Sequence, residues 1–311
     1  MISVKIENIT KKFDQITAIH GLSLNIDKGE IIGLIGPDGA GKTTLLRLMI
    51  GLLKPNSGSI HIEGVDSVKN PQHVKDKIGY MPQHFSLYGD LSVSENMKFF
   101  ADIYGVPKKI FDKRKKELLE FSGLVPFEGR LARNLSGGMQ KKLALACNLF
   151  HTPEILLLDE PTTGVDPVSR RELWNLLFQL NKQEVTLIIT TPYMDEAQRC
   201  HRVGLMYEGK ILSFQSPQSL IQGMKDEIIE LVTDDKQIKK LLGNLPDLKT
   251  VYPYGGALHL TFEQGKGGEE KTKEFLEKHS LSARSIKIIP PSFEDVFLNL
   301  INKMNSDTVT Q

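Results

Sequence analysis

Apolar and polar positions in this chain follow two rhythms. Short, nearly continuous apolar runs at Ile31–Ile35, Ile155–Leu158 and Thr186–Thr190 predict buried strands. Val4–Ile9, Leu22–Ile26 and Ser59–Glu63 predict further strands, and residues 203–213 predict a hairpin turning at Gly209. Between about residues 85 and 150 the spacing becomes helical, in Ser94–Tyr104, Phe111–Ser122 and Gly138–Phe150. This pattern predicts a helical insert within an α/β core that occupies residues 1–220.

After Ser216-Pro217 a second unit is expected, a C-terminal accessory α/β domain placed at residues 221–311. Its predicted order is strand 227–232, helix 235–243, strands 248–252 and 256–263, helix 269–279, strand 282–289 and helix 292–303. That order suits a small α/β sandwich of split βαβ type, ending in a frayed tail.

Composition narrows the function. The 311 residues carry 39 Lys and Arg against 38 Asp and Glu, so there is no electrostatic case for a nucleic-acid partner. The basic cluster from Lys108 to Lys116 alternates with apolar residues and reads as the wet face of a helix. Cys147 and Cys200 stand in no metal-like spacing. The N-terminus alternates like a strand and lacks the apolar core of a signal peptide. No apolar run approaches the ~20 residues of a membrane-spanning helix, so any membrane connection is expected to come through a partner.

The strongest chemical signal follows the run Ile31–Ile35. Gly36, Pro37, Asp38, Gly39, Ala40, Gly41, Lys42, Thr43 and Thr44 form a G-x-x-x-x-G-K-T segment between a predicted strand and a helix through Leu45–Met49. Glycines allow a tight turn whose N–H groups converge on an anion at a helix start. Lys42 can then reach the outer phosphates of a nucleoside triphosphate, and Thr43 can offer a hydroxyl to Mg²⁺.

Two other segments complete the chemistry. The strand ending at Leu158 runs into Asp159 and Glu160. Asp159 suits a Mg²⁺ site beside a phosphate cradle, and Glu160 can orient and deprotonate a water attacking the γ-phosphate. Leu135-Ser136-Gly137-Gly138 opens a second helix whose orphan N–H groups also suit an anion. One nucleotide needs one cradle, so this second helix start implies another ligand or another subunit.

Together with Gly164-Val165-Asp166-Pro167, these motifs resemble the ATPase subunit of ATP-binding cassette (ABC) transporters, in order, over the first 220 residues. The resemblance implies a P-loop α/β fold with a helical subdomain, ATP and Mg²⁺ as ligands, and a head-to-tail dimer with a like subunit. Lys42 of one copy and Ser136, Gly137 and Gly138 of the other would then clasp each ATP. By the same resemblance Phe13 stacks on adenine, Gln83 senses Mg²⁺ and the attacking water, and Asp166 links the two sites across the dimer. Pro291–Phe297 resembles the closing motif of ATPases serving ABC-2 type exporters of drugs, antibiotics or lipids. That implies an integral membrane permease as partner and a position on the cytoplasmic face of the membrane. The permease is expected to dock near Gln83–Asp90, where Phe85 and Tyr88 could be contacts.

Two departures stand out. Asp38 occupies a cradle position that is usually Asn in the family. Pro192 falls where the family carries a switch histidine, and it has neither a side-chain donor nor a backbone N–H. Slow but real hydrolysis is expected, with Thr191 a partial substitute through its hydroxyl. The alternatives are an ATP-binding regulatory or structural cassette with little hydrolysis, and an importer ATPase.

Overall fold

The computed structural model describes residues 1–84, 87–235 and 238–309. Its contacts divide the chain into two compact units, Met1–Ser216 and Pro217–Gln311.

In the first unit, β1 (Ile2–Phe13), β2 (Ile16–Asp27), β3 (Ile31–Ile35), α1 (Lys42–Met49), β4 (Ser57–Ile62) and β5 (Val65–Asp66) come first. They are followed by α2 (Pro71–Lys77), β6 (Ile78–Met81), α3 (Val93–Ile103), α4 (Lys108–Ser122) and α5 (Gly137–Cys147). The unit closes with β7 (Ile155–Asp159), α6 (Pro167–Asn181), β8 (Thr186–Thr191), β9 (Arg202–Tyr207) and β10 (Lys210–Gln215).

Two sheets result. One is an antiparallel sheet in the order β2-β1-β4-β5, and the other a six-stranded sheet in the order β10-β9-β3-β8-β7-β6. Strands β9, β3, β8, β7 and β6 run parallel, and β10 returns antiparallel to β9. Every residue of β3, β7 and β8 is buried. Their apolar runs lack alternation because both faces of a parallel sheet are covered. The core joins β1, β2, β3, β4, β7 and α1 through Ile6, Ile19, Leu34, Leu45, Leu157 and neighbours.

The helical insert α3–α5 is the connection between the paired strands β6 and β7. A complete capping box starts α3, with Ser92 and Glu95 satisfying each other's backbone N–H groups. The basic cluster lies on α4, where Lys108, Lys109, Lys113 and Lys116 are exposed, as the alternation predicts. Arg114 and Lys115 are half-buried, held by the Leu149 carbonyl and by Glu128.

Register determines where the chemistry goes. Leu34 and Asp159 both pair with Thr190, and Met81 pairs with Leu158. The carboxyl ends of β3, β6, β7 and β8 therefore finish at one edge, where ligands bind in open α/β sheets. Strands β1 and β2 extend well past their predicted limits. In this unit α2, β5, the four-residue β6 and α6 lie outside the predicted set.

The second unit contains α7 (Pro217–Gln222), β11 (Asp226–Val232), α8 (Ile238–Leu241), β12 (Leu248–Tyr254), β13 (Ala257–Glu263), α9 (Gly268–Lys278), β14 (Ser285–Ile289) and α10 (Phe293–Val309). Its sheet is antiparallel throughout, ordered β12-β13-β11-β14, which is the split βαβ arrangement. The helix predicted over 235–243 is shorter: α8 passes into a 3₁₀ turn at Leu242–Asn244. Positions 236 and 237 lie outside the described residues, as do 310 and 311 of the predicted tail. Phe293, Val296 and Phe297 of α10 are buried, so this stripe is core. No helix among the described residues is long and apolar enough to cross a membrane.

Candidate active site

The segment after β3 wraps a cavity of about 370 Å³ lined by Ala18, Asp38–Thr44, Gln83 and Glu160. Gly36 lies at its entrance from the strand. A Cβ there would sit 2.1 Å from the carbonyl oxygen of Met206, so no other residue fits without moving the backbone. Gly41 caps α1 at a φ of 100°, a conformation open to glycine.

Lys42 is buried at the start of α1. Its ammonium donates to the carbonyl oxygens of Gly36 at 2.7 Å and Pro37 at 3.1 Å, and lies 3.5 Å from Glu160 Oε1. Thr43 Oγ1 donates to Asp159 Oδ1 at 3.0 Å. The other Asp159 oxygen, Oδ2, is buried and has no hydrogen-bond partner. A buried carboxylate oxygen left open beside a hydroxyl fits Mg²⁺, which proteins hold through one or two carboxylates plus substrate phosphates. Among the described residues no group of three His, Cys, Asp or Glu side chains converges as an all-protein metal site.

Glu160 is held on several sides. Gln83 Nε2 donates to its Oε2 at 3.0 Å, and Thr163 Oγ1 donates to the same oxygen at 3.2 Å. Its backbone N–H reaches Thr190 Oγ1 at 2.9 Å. Its φ of 48° lies in the left-handed region, where a non-glycine residue is strained and is kept only by its surroundings. Thr190 Oγ1 also donates to Asp159 Oδ1 at 2.7 Å, so one hydroxyl organises both acids.

Residues 19–163 match the family profile described as ABC transporter. The chain is 40% identical over 287 residues to the probable multidrug ABC transporter ATP-binding protein YbhF of Escherichia coli K12, across 91% of this chain and 49% of YbhF. It thus spans about half the length of that relative. It is 32% identical over 309 residues to the linearmycin resistance ATP-binding protein LnrL of Bacillus subtilis 168, across 97% of this chain and 99% of LnrL. This chain belongs to the ABC transporter family. Among solved structures, the dimeric ATP-binding cassette MJ0796 in a post-hydrolysis state with ADP and Pi matches at TM-score 0.62 and 29% identity. That match covers 68% of this chain and 98% of that one.

Within this ABC cassette the other motif residues occupy separate places. Ser136 caps α5 by accepting from Met139 N at 3.3 Å. Gly138 lets α5 approach α6, because a Cβ there would lie 2.3 Å from Ser169 Cβ. None of Ser136, Gly137 and Gly138 lines the phosphate cavity. Gly137 instead borders a cavity of about 310 Å³ together with Gln83, Lys141 and Thr163. Phe13 is exposed at the end of β1, with the Lys11 ammonium 4.9 Å from its ring centroid, and it does not line the phosphate cavity. Asp166 caps α6, accepting from Val168 N and Ser169 N. Its carboxyl is held below the usual range, first by Ser169. Tyr88 is half exposed and packs edge-on against Phe99, while Phe85 lies outside the described residues.

Pro192 follows directly after β8, and neither it nor Thr191 lines the 370 Å³ cavity. Thr191 Oγ1 accepts from Tyr193 N at 3.1 Å. The segment that follows is anchored through Glu196, which is fully buried. Glu196 accepts from Arg170 Nε at 2.7 Å, Trp174 Nε1 at 3.0 Å and Thr162 Oγ1 at 3.2 Å. Arg170 also reaches Asp195 and lies over the Tyr193 ring. Burial works against its charge more than any single partner supports it, but Glu196 and Asp195 together outweigh burial and raise the guanidinium's pKa. Sequence reasoning missed Thr190, Thr163 and this network. Asp166-Pro167 ahead of Leu173, Trp174, Leu177 and Leu180 was a legible cap-and-stripe signal for α6.

Proposed function

We propose that this chain hydrolyses ATP to drive export through a separate membrane permease of ABC-2 type, carrying drug-like or lipid-like compounds. The observation that carries the reading is the convergence of Lys42, Thr43, Gln83, Asp159 and Glu160 at one edge of the parallel sheet. Two similar proteins, one named for multidrug transport and one for linearmycin resistance, favour export over import.

In this reading the backbone of Asp38–Thr44 receives the phosphates and Lys42 places positive charge against the outer ones. Thr43 and Asp159 would hold Mg²⁺, with Gln83 a further candidate. When bound, the ion neutralises charge on the β- and γ-phosphate oxygens. Glu160 accepts a proton from the attacking water as its oxygen bonds to the γ-phosphorus, and the bond to ADP breaks with the electron pair leaving on ADP. Phe13 stacks on adenine. Ser136–Gly138 belong to the opposite site of a head-to-tail dimer, which fits their separation from the cradle of their own chain. Asp166 lies at the junction between the two sites. Pro192 leaves the γ-phosphate without a side-chain donor from that position, so turnover is slow.

The test is association of the Glu160→Gln protein at saturating Mg·ATP, followed by analytical ultracentrifugation. Dimers are expected with ATP and monomers without it. Monomers under both conditions would falsify the shared-site reading.

A further inference from the structure

We propose that Lys141 is a positioning residue for hydrolysis: from α5 it clamps the backbone of Gln83, and Gln83 in turn holds the carboxylate of Glu160. This rests on the reading above, in which Glu160 takes the proton from the attacking water.

Lys141 Nζ donates to the Gln83 carbonyl oxygen at 3.0 Å, and Gln83 Nε2 donates to Glu160 Oε2 at 3.0 Å. Thr163, which supplies the other side-chain donor to Glu160 Oε2, lines the same 310 Å³ cavity as Lys141 and Gln83. Lys142, the next residue along α5, turns instead to Glu172 on α6. Lys141 is half-buried, and desolvation lowers its pKa, with the carboxylates of Glu160 and Asp159 offsetting only part of that shift. A long, flexible side chain can reach into that environment, and the carbonyl oxygen and the two acids offset part of the cost of burying its charge.

The geometry has a catalytic consequence. Gln83 follows β6 in a loop, and loop backbone drifts unless something outside it holds it. Lys141 supplies that hold from a rigid helix. A neutral side chain at 141 frees the Gln83 backbone, and its amide then no longer fixes Glu160. Small misplacements of a reacting group can cost about 10²-fold in rate without weakening ground-state binding.

The experiment measures ATPase kinetics of the full chain assembled with its permease. Lys141→Met is expected to lower kcat about 10- to 100-fold with KM for ATP little changed. Lys141→Arg is expected to restore most of the rate. Should Lys141→Met fold poorly, Lys141→Leu, which also removes the donor to the Gln83 carbonyl, makes the same comparison. Parental kcat in the neutral variants, or KM rising while kcat holds, overturns the proposal. Glu160→Gln is the control. If that protein keeps its turnover, the reading of Glu160 fails and the proposal with it. If it is inactive while the Lys141 variants are normal, only the proposal fails.

Discussion

Replacing Arg170 with methionine should destabilise the nucleotide-binding unit through a single buried charge. Glu196 is fully buried, and Arg170 is its only cationic partner among the described residues. Removing one member of a buried pair typically costs about 3–5 kcal/mol, because the remaining charge is uncompensated. Trp174 and Thr162 still donate to Glu196, so the lower end, about 3 kcal/mol, is expected. With a urea m-value of about 3 kcal/mol/M, the midpoint should fall by about 1 M. The chain has one tryptophan, and Trp174 is itself bonded to Glu196, so its fluorescence reports this unit directly. The double variant Arg170→Met with Glu196→Gln keeps an acceptor for Trp174 and removes the charge, and should recover most of the loss. If Arg170→Met unfolds within 0.3 M of the parent (about 1 kcal/mol on the same slope), or if the double variant is no more stable than the single one, the buried-charge argument is wrong. The same network anchors the segment after Pro192 to α6, so the variant should also lower ATP turnover.

Two further outcomes follow from the site. Pro192→His should raise turnover in the assembled transporter by up to about 10²-fold, the scale of one transition-state donor; a variant no faster than the parent would mean this gap does not limit the rate. Gly36→Ala should weaken ATP binding at least about tenfold, since its Cβ meets the Met206 carbonyl at 2.1 Å and the cradle must shift. A fluorescent-nucleotide titration giving the parent's affinity would contradict that geometry.

The cradle at Gly36–Thr44, the acids at 159 and 160 and the α/β fold were legible because each rests on local physics. A glycine turn between strand and helix, or a strand buried on both faces, depends on neighbours a few residues away. The short β6 was hard to read because four residues hold too little periodicity, and only its pairing with β7 makes it a strand. The strands β1 and β2 run longer than expected because register shifts between them interrupt the period-2 alternation by which a strand is read.

Sequence alone singled out Asp38–Thr44, Gln83 and Glu160, which line one cavity, and it placed Pro192 where the resemblance implies a histidine. Only the tertiary structure decided what holds them. Thr190 bridges Asp159 and Glu160 because β7 and β8 pair in that register. Gln83 and Lys141 meet because the insert folds back beside β6, although 58 residues separate them along the chain. Hydroxyls, amides and lysines are common along any chain, and they acquire a role only when strand pairing and helix packing bring them within hydrogen-bond reach of a buried acid.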